Sequence, residues 1–445
     1  MKCVHGSVAV LLVATLAALA AQSTSPQYLS FAQARPVVDA LGEHLPAPAE
    51  WPSWIAEHDR TTRSRVAEGD ETSIVYWLLF GTTFTSQPRI TSRQIDSKEI
   101  TAAVNARLTD LEAALAAPGG SERVQFARLV LGTGPARPRL LSMLDRVMKE
   151  GETHARLAEA ARALGDPSLE FAERSRMYRA RGLSTDSSLK INFAVEEALK
   201  GLVPALTRGA SQAKPAVRRV AIVGPGLDFT DKQEGYDFYA PQTIQPFAVQ
   251  DSLIRLGLAD AGSLEVTAFD LSRRVSSHIE TAAERARGGA SYIIHLPLDG
   301  DVPWTPEFLD YWRRFGDTVG SPVPVSVPPG FPGLRLRAVS VRPPAIRRVR
   351  AIDLNVTAQY LALSEAERFD VVIGTNVFLY YDRPQQGLAM AGISNMLKPG
   401  GVLLSNNALV EIPAVGFRSI GYSKVMYSSR EEDGDLIVWY QKAPK

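Results

Sequence analysis

Hydrophobic and polar positions follow two different rhythms along the chain. From about Tyr28 to Gly209, apolar residues recur every three or four positions, the spacing of an amphipathic helix. SKEITAAVNARLTDLEAALAA (Ser97 to Ala117) shows this most clearly, with Ile100, Val104, Leu108, Leu111 and Leu115 in register and Gly119-Gly120 closing the run. Further helices are predicted around Arg123 to Leu131, Arg139 to Leu164 and Ser187 to Leu202, separated by Pro, Gly and Ser. No strand-like alternation interrupts them, so an all-helical N-terminal domain is expected over 28–210.

The rhythm changes at AKPAVRRVAIVGPGLDF, where a short β-branched run meets a Gly-rich turn. From there strands and helices alternate, the pattern of a parallel sheet with crossover helices, expected over 216–445. Strands are predicted at Arg219 to Val223, Glu265 to Asp270, Val349 to Leu354, Phe369 to Gly374, Gly401 to Ser405, Ser423 to Tyr427 and Leu436 to Gln441. The last two flank SSREEDGD, whose Asp-Gly predicts a hairpin and an antiparallel edge. A segment at about 291–347, with SYIIHLPLDGD, a helix near Pro306 to Phe315 and the Pro-rich SPVPVSVPPGFPG, exceeds a minimal βαβ unit and reads as an insertion.

Composition adds bounds. The chain has 445 residues, 45% hydrophobic and 22% charged, with a net charge of +1, the profile of a globular protein of two or more domains. The basic cluster RLRAVSVRPPAIRRVR (Arg335 to Arg350) is balanced by acids elsewhere and reads as a solvated face, so no nucleic-acid partner is expected. The N-terminus carries one Lys, an apolar run from Val8 to Ala21 and then polar residues, which is the order of a secretory signal peptide over 1–21. That run is shorter than the ~20 residues needed to span a bilayer, so no integral membrane span is expected beyond it. The sole cysteine, Cys3, lies before the run, which leaves a mature chain without disulfides, thiolate metal sites or a cysteine nucleophile. No metal site is expected.

The chemistry-bearing residues sit at predicted strand ends. Gly224 and Gly226 directly after the first strand allow a tight turn and a close backbone approach to a ligand, but the third glycine of G-x-G-x-x-G is missing. Asp270 ends the second strand, where a carboxylate can accept both hydroxyls of a ribose, and Asp353 ends the next. Both also suit the cap of a following helix. Then come FDVVIGTNVFLYYD and MLKPGGVLLSNNAL. Asn376 is equally a turn residue, and Tyr380 and Tyr381 are of the kind that usually fill a core or its rim. TDKQEGYDFYAPQTIQPF is longer than an ordinary βα loop and suits a lid or substrate wall, with Tyr236 and Tyr239 as candidate contacts to a reacting group. His295 in an apolar strand suits a core histidine better than a base.

In this order, the Gly-loop, Asp270, Asp353, FDVVIGTNVFLYYD, LKPGGVLL and a closing hairpin resemble the class I S-adenosylmethionine-dependent methyltransferases over Arg218 to Gln441, insertion apart. FDVVIGTNVFLYYDRPQQ with NMLKPGG is most similar to the chemotaxis-receptor methyltransferase branch. The resemblance implies a Rossmann-like methyltransferase sheet and S-adenosylmethionine as cofactor. Gly224 and Gly226 would meet its amino-acid part, Asp270 with Leu271 its ribose, Asp353 and Leu354 its adenine, and Asn376 would floor the methyl-transfer site. Two positions depart from the pattern. Ile222 stands where an acid is usual, and Asp228 replaces the third glycine, where it would contact the cofactor's ammonium or mark a decayed site. The expected activity is methyl transfer to an unknown acceptor, small molecule or protein side chain. The other reading is an exported, inactive binding protein of the same fold, because the cofactor is made in the cytoplasm. A dinucleotide or nucleotide-sugar enzyme fits the Gly-loop and hairpin less well.

Overall fold

The computed structural model describes residues 25–42, 45–90, 100–117, 119–163, 176–207, 216–229, 236–298, 302–328, 331, 333–430 and 433–444. The signal-peptide expectation over 1–21 lies outside them. In chain order the elements are β1 (Pro26–Tyr28), α1 (Phe31–Leu41), α2 (Trp51–Phe80), α3 (Ile100–Ala116), α4 (Glu122–Leu131), α5 (Ala136–Ala163) and α6 (Ile191–Leu206). Then follow β2 (Arg219–Val223), α7 (Gln245–Arg255), β3 (Glu265–Phe269), α8 (Arg273–Arg287), β4 (Tyr292–Pro297), α9 (Pro306–Arg314), β5 (Gly320–Val323), β6 (Leu336–Val341) and α10 (Pro343–Ile346). The chain closes with β7 (Val349–Ile352), β8 (Gln359–Leu361), β9 (Phe369–Gly374), α11 (Arg383–Met396), β10 (Leu397–Ser405), β11 (Phe417–Met426) and β12 (Gly434–Lys442).

Seven strands form one sheet in the order β7-β3-β2-β9-β10-β12-β11. Pairing is parallel from β7 to β10, whereas β12 runs antiparallel to both β10 and β11. This is the Rossmann-like fold expected from the sequence, with the antiparallel C-terminal hairpin in place. The alternation of side chains along a strand divides the core. Val220, Ile222, Val371 and Ile373 face α6, α7 and α8, while Ala221, Val223 and Val372 face α1, α11 and the start of α2. Burial on both faces explains why β2 and β9 read as uninterrupted apolar runs.

The described elements between β1 and β2 are all helices, and β1, at the edge of this region, pairs antiparallel with β8. Packing does not break near 210, because α6 lies in the same core as β2 and α7 and serves the sheet as a layer helix. Only the second half of α2 with α3, α4 and α5 builds a separate helical core around Trp77, Leu108 and Leu131. The described residues of 291–347 hold more regular structure than the Pro-rich sequence suggests. β4, β6 and β5 form a small antiparallel sheet, and Phe308, Tyr311 and Trp312 of α9 join the main core. Arginines in this region and just after it donate to backbone carbonyls: Arg337 to the Trp312 carbonyl oxygen at 3.2 Å, Arg347 to that of Ala286 at 3.5 Å, and Arg348 to that of Gly262. Among the described residues no helix is long and apolar enough to cross a membrane.

Buried charges hold the helical region together and fasten it to the loop between β2 and α7. Arg107, fully buried, donates to the carbonyl oxygens of Leu78 and Gly81 and so satisfies the end of α2. Asp237, also buried, accepts from the indole N–H of Trp77 and from the backbone and hydroxyl groups of Thr82 and Thr83 at 2.7–3.1 Å. Burial pushes this carboxyl up, but the hydrogen bonds from Thr83, Thr82 and Trp77 outweigh it and hold the group below the usual range. Asp237→Ala would strand those donors and should cost about 3 kcal/mol in urea unfolding. The depressed group stabilises the fold above its unfolded pKa near 4 and loses that contribution as pH falls further. The gap between wild type and Asp237→Asn should therefore narrow below about pH 4.

Candidate active site

Strand order reverses at β2. Its neighbours β3 and β9 are reached by connections that leave on opposite sides, so their loops part at the carboxyl ends of the strands and leave a crevice. A cavity of about 470 Å³ lies there, within the ~300–1,000 Å³ usual for small-molecule sites. Its floor is made of Gly224 and Gly226 after β2, Asp270 and Leu271 after β3, Leu354 after β7, and Thr375 and Asn376 after β9. Both glycines sit at φ 65°, where a side chain is strained. Gly224 has a second reason, since a Cβ there would stand 2.7 Å from the Val377 side chain.

Asp270 is strongly perturbed by its burial in the cavity. Its carboxylate accepts from the Ser272 N–H at 2.8 Å and also bonds the Gly226 N–H, so it ties the second strand end to the Gly-loop. Burial raises its pKa to about 7 against those two bonds and the Arg274 charge, which lower it. The hydrogen bond to Ser272, the residue ahead of α8, shows that the cap-like and cavity-facing roles coexist.

The other sequence candidates separate. Asp228 lines the cavity, yet its Oδ2 already accepts from the Tyr239 hydroxyl at 2.8 Å and the Gln242 amide at 3.0 Å. Tyr236 is in the wall, packed edge-on against Phe238 and Phe331. Tyr239 is not in the wall and stacks on His295 instead, behind Asp228. His295 is likewise outside the lining, and burial lowers its pKa. Asp353 lies outside the lining. Its carboxylate turns away to pair with the Arg63 guanidinium of α2 at 2.5 Å, leaving only Leu354 at the cavity. Asn376 is in the lining with φ 58°, the only non-glycine in the left-handed region among the described residues. Tyr380 and Tyr381 are buried and also line the cavity.

The cavity has a roof that the sequence did not announce. Residues 183–191, just before α6, cross above the Gly-loop, where Leu227 N–H donates to the Thr185 carbonyl at 2.9 Å and Ser187 N–H to the Leu227 carbonyl at 2.8 Å. Arg274 of α8 secures this strap. It donates to the Thr185 hydroxyl at 2.6 Å, pairs with Asp186 at 3.6 Å and Asp70 at 3.8 Å, and lies 4.1 Å over the Phe126 ring. In the sequence, LSTDSSLKI reads as a polar run leading into the helix predicted from Ser187, whereas α6 begins at Ile191. Lys190, Gln245, Pro297 and Trp304 complete the far end of the cavity, and Lys190 pairs with Asp433 at 2.7 Å.

No family model and no curated protein matches the chain. Solved structures do match. The N-methyltransferase NodS from Bradyrhizobium japonicum WM9 in complex with S-adenosyl-L-homocysteine is 11% identical, with 55% of this chain and 86% of that one covered at a TM-score of 0.26. The glycopeptide N-methyltransferase MtfA complexed with S-adenosyl-L-methionine is 10% identical over 58% and 97% of the two chains, TM-score 0.27. Magnesium protoporphyrin IX methyltransferase from Synechocystis PCC 6803 with bound cofactor is 9% identical over 61% and 90%, TM-score 0.28. With scores this low, the fold rests on the strand order of the sheet itself.

The Asp270 environment has a measurable consequence for the ligand-free chain. Between about pH 4 and pH 7 the folded state holds a proton that the unfolded chain has released, so this residue's effect on stability worsens as pH rises through that window. Asp270→Asn removes the ionisation. Its stability relative to wild type should rise by roughly 2–4 kcal/mol between pH 4 and pH 8 in denaturant titrations.

Proposed function

We propose that the chain is an S-adenosylmethionine-dependent methyltransferase. The observation that carries this reading is the meeting of Gly224, Gly226 and the desolvated Asp270 at the ends of adjacent parallel strands, inside a cavity at the sheet's switch point. A carboxylate with only N–H partners and a pKa near 7 retains acceptor capacity, which a ribose diol would use. Leu354, Leu271 and Phe269 offer an apolar wall for a purine, and the turn at Gly224 lets backbone approach the amino-acid end. Asp228 stands close to that turn with Tyr239 and Gln242 fixing its carboxylate. The cofactor supplies an electrophilic methyl on sulfur. The chain's own task is alignment of the acceptor and exclusion of water, which the strap at 183–191 and the wall at Tyr236 perform.

The finer likeness, to the chemotaxis-receptor branch, is supported by FDVVIGTNVFLYYDRPQQ and NMLKPGG alone. Export is proposed from the apolar run between Val8 and Ala21.

Calorimetric titration with S-adenosylmethionine tests the cofactor. Wild type should bind with a Kd below about 1 mM, and Asp270→Ala should weaken binding at least about tenfold, or 1.4 kcal/mol. No heat at millimolar cofactor sinks the proposal. A fusion of residues 1 to 30 to a reporter active only outside the cytoplasm tests export, and a silent reporter removes it.

A further inference from the structure

On the methyltransferase reading, we infer that Asn406 and Asp435 are positioning residues that set the hydrogen-bonding polarity of Asn376, so that the cavity receives its amide N–H₂ and selects an acceptor oxygen rather than an amine N–H. The chain of donors begins at a group whose polarity is fixed. The backbone N–H of Asn376 can only donate, and it donates to Asn406 Oδ1 at 2.8 Å. The amide nitrogen of Asn406 therefore faces the other way, and donates both to Asn376 Oδ1 at 2.7 Å and to Asp435 Oδ1 at 3.2 Å. The remaining oxygen of Asp435 accepts from the Tyr427 hydroxyl at 2.6 Å. With a backbone N–H at one end and a carboxylate at the other, Asn406 has one satisfactory orientation. Asn376 must then present Oδ1 to Asn406, and its Nδ2 remains for the cavity that it lines.

The same clamp explains the backbone of Asn376. A non-glycine at φ 58° is strained, and such strain persists only where surrounding contacts over-determine it. Here one side chain bonds the residue's main chain and side chain together, from the end of the neighbouring strand β10, with an acid from β12 behind it.

The chemical consequence concerns the acceptor. An amine nucleophile is held for methylation by groups that accept its N–H bonds and turn its lone pair toward the methyl. The N–H₂ of Asn376 cannot do that. It suits an oxyanion, which accepts one or two hydrogen bonds and keeps a further lone pair for attack. In the reaction that lone pair forms the O–CH₃ bond, the S–CH₃ bonding pair returns to sulfur, and the anionic oxygen and sulfonium both become neutral. No proton has to leave, so no general base is needed.

The polarity can be reversed without changing net charge or shape, the carboxylate moving one residue closer to Asn376. In Asn406→Asp/Asp435→Asn the carboxylate at 406 still accepts the Asn376 N–H, but its other oxygen demands a donor and turns the Asn376 Oδ1 toward the cavity, while the amide at 435 supplies the lost donor. Wild type and the double variant, each loaded with S-adenosylhomocysteine, are titrated with two uncharged probes, acetophenone, which only accepts hydrogen bonds, and aniline, which donates them, and melting temperature confirms folding. Wild type should bind acetophenone at least about tenfold more tightly than aniline, and the double variant should lose or reverse that preference. A preference for aniline in wild type, the same preference in both proteins, or binding of neither probe overturns the inference. Failure of wild type to bind S-adenosylhomocysteine at all is a separate result that removes the methyltransferase reading beneath it.

Discussion

One backbone contact governs the site: residues 185–187 run directly beside Leu227, immediately beyond the Gly-loop. A Cβ on residue 226 would stand 2.9 Å from the Ser187 nitrogen and 3.0 Å from the Asp186 carbonyl carbon. The second glycine therefore does more than let the loop turn. It lets the polypeptide that enters α6 pass close enough to become the roof of the cavity. The first layer helix of the sheet, the roof and the floor are thereby joined by a few residues, and Arg274 ties them to the helical region through Asp70 and Phe126. A helical lobe that supplies both Asp70 and Asp237's partners is thus built into the site's walls rather than appended to them.

How far the sequence reveals this depends on the range over which each feature is decided. β2 and β9 were legible to the residue, because a parallel strand buried on both faces must be an unbroken β-branched run. The closing hairpin was legible from Asp433-Gly434, though β11 and β12 extend further than the apolar positions because one face is half-exposed. The helix α6 was found, but its allegiance was not. Periodicity shows that a helix has an apolar stripe and says nothing of which sheet covers it. The small antiparallel sheet of β4, β5 and β6 was hidden by proline, which that sheet tolerates at Pro297 and Pro322 near strand ends.

The site residues divide by the same rule. Gly224, Gly226, Asp270, Leu354 and Asn376 lie where strand order alone would put them, at the carboxyl ends of β2, β3, β7 and β9. Asp353 has the same kind of position but a different fate, decided by Arg63, 290 residues earlier in the chain. The strap at 183–191 carries no signal of its own, since Ser, Thr and Asp are what any helix N-terminus shows, and the helix predicted from Ser187 absorbs its second half.

Two carboxylates beside the Gly-loop illustrate how one cavity surrounds acids with different partners. Asp228 is given donors from Tyr239 and Gln242, and so faces a ligand as an acceptor already held in place. Asp270 receives backbone N–H groups from Ser272 and Gly226, too few to offset its burial. A ligand that brings hydroxyl donors to Asp270 makes its ionised form favourable and removes a cost that the empty protein carries. Binding energy at that residue thus comes partly from relief of an unfavourable burial, and the same burial that makes the empty fold less stable makes the cavity selective for a donor-rich ligand.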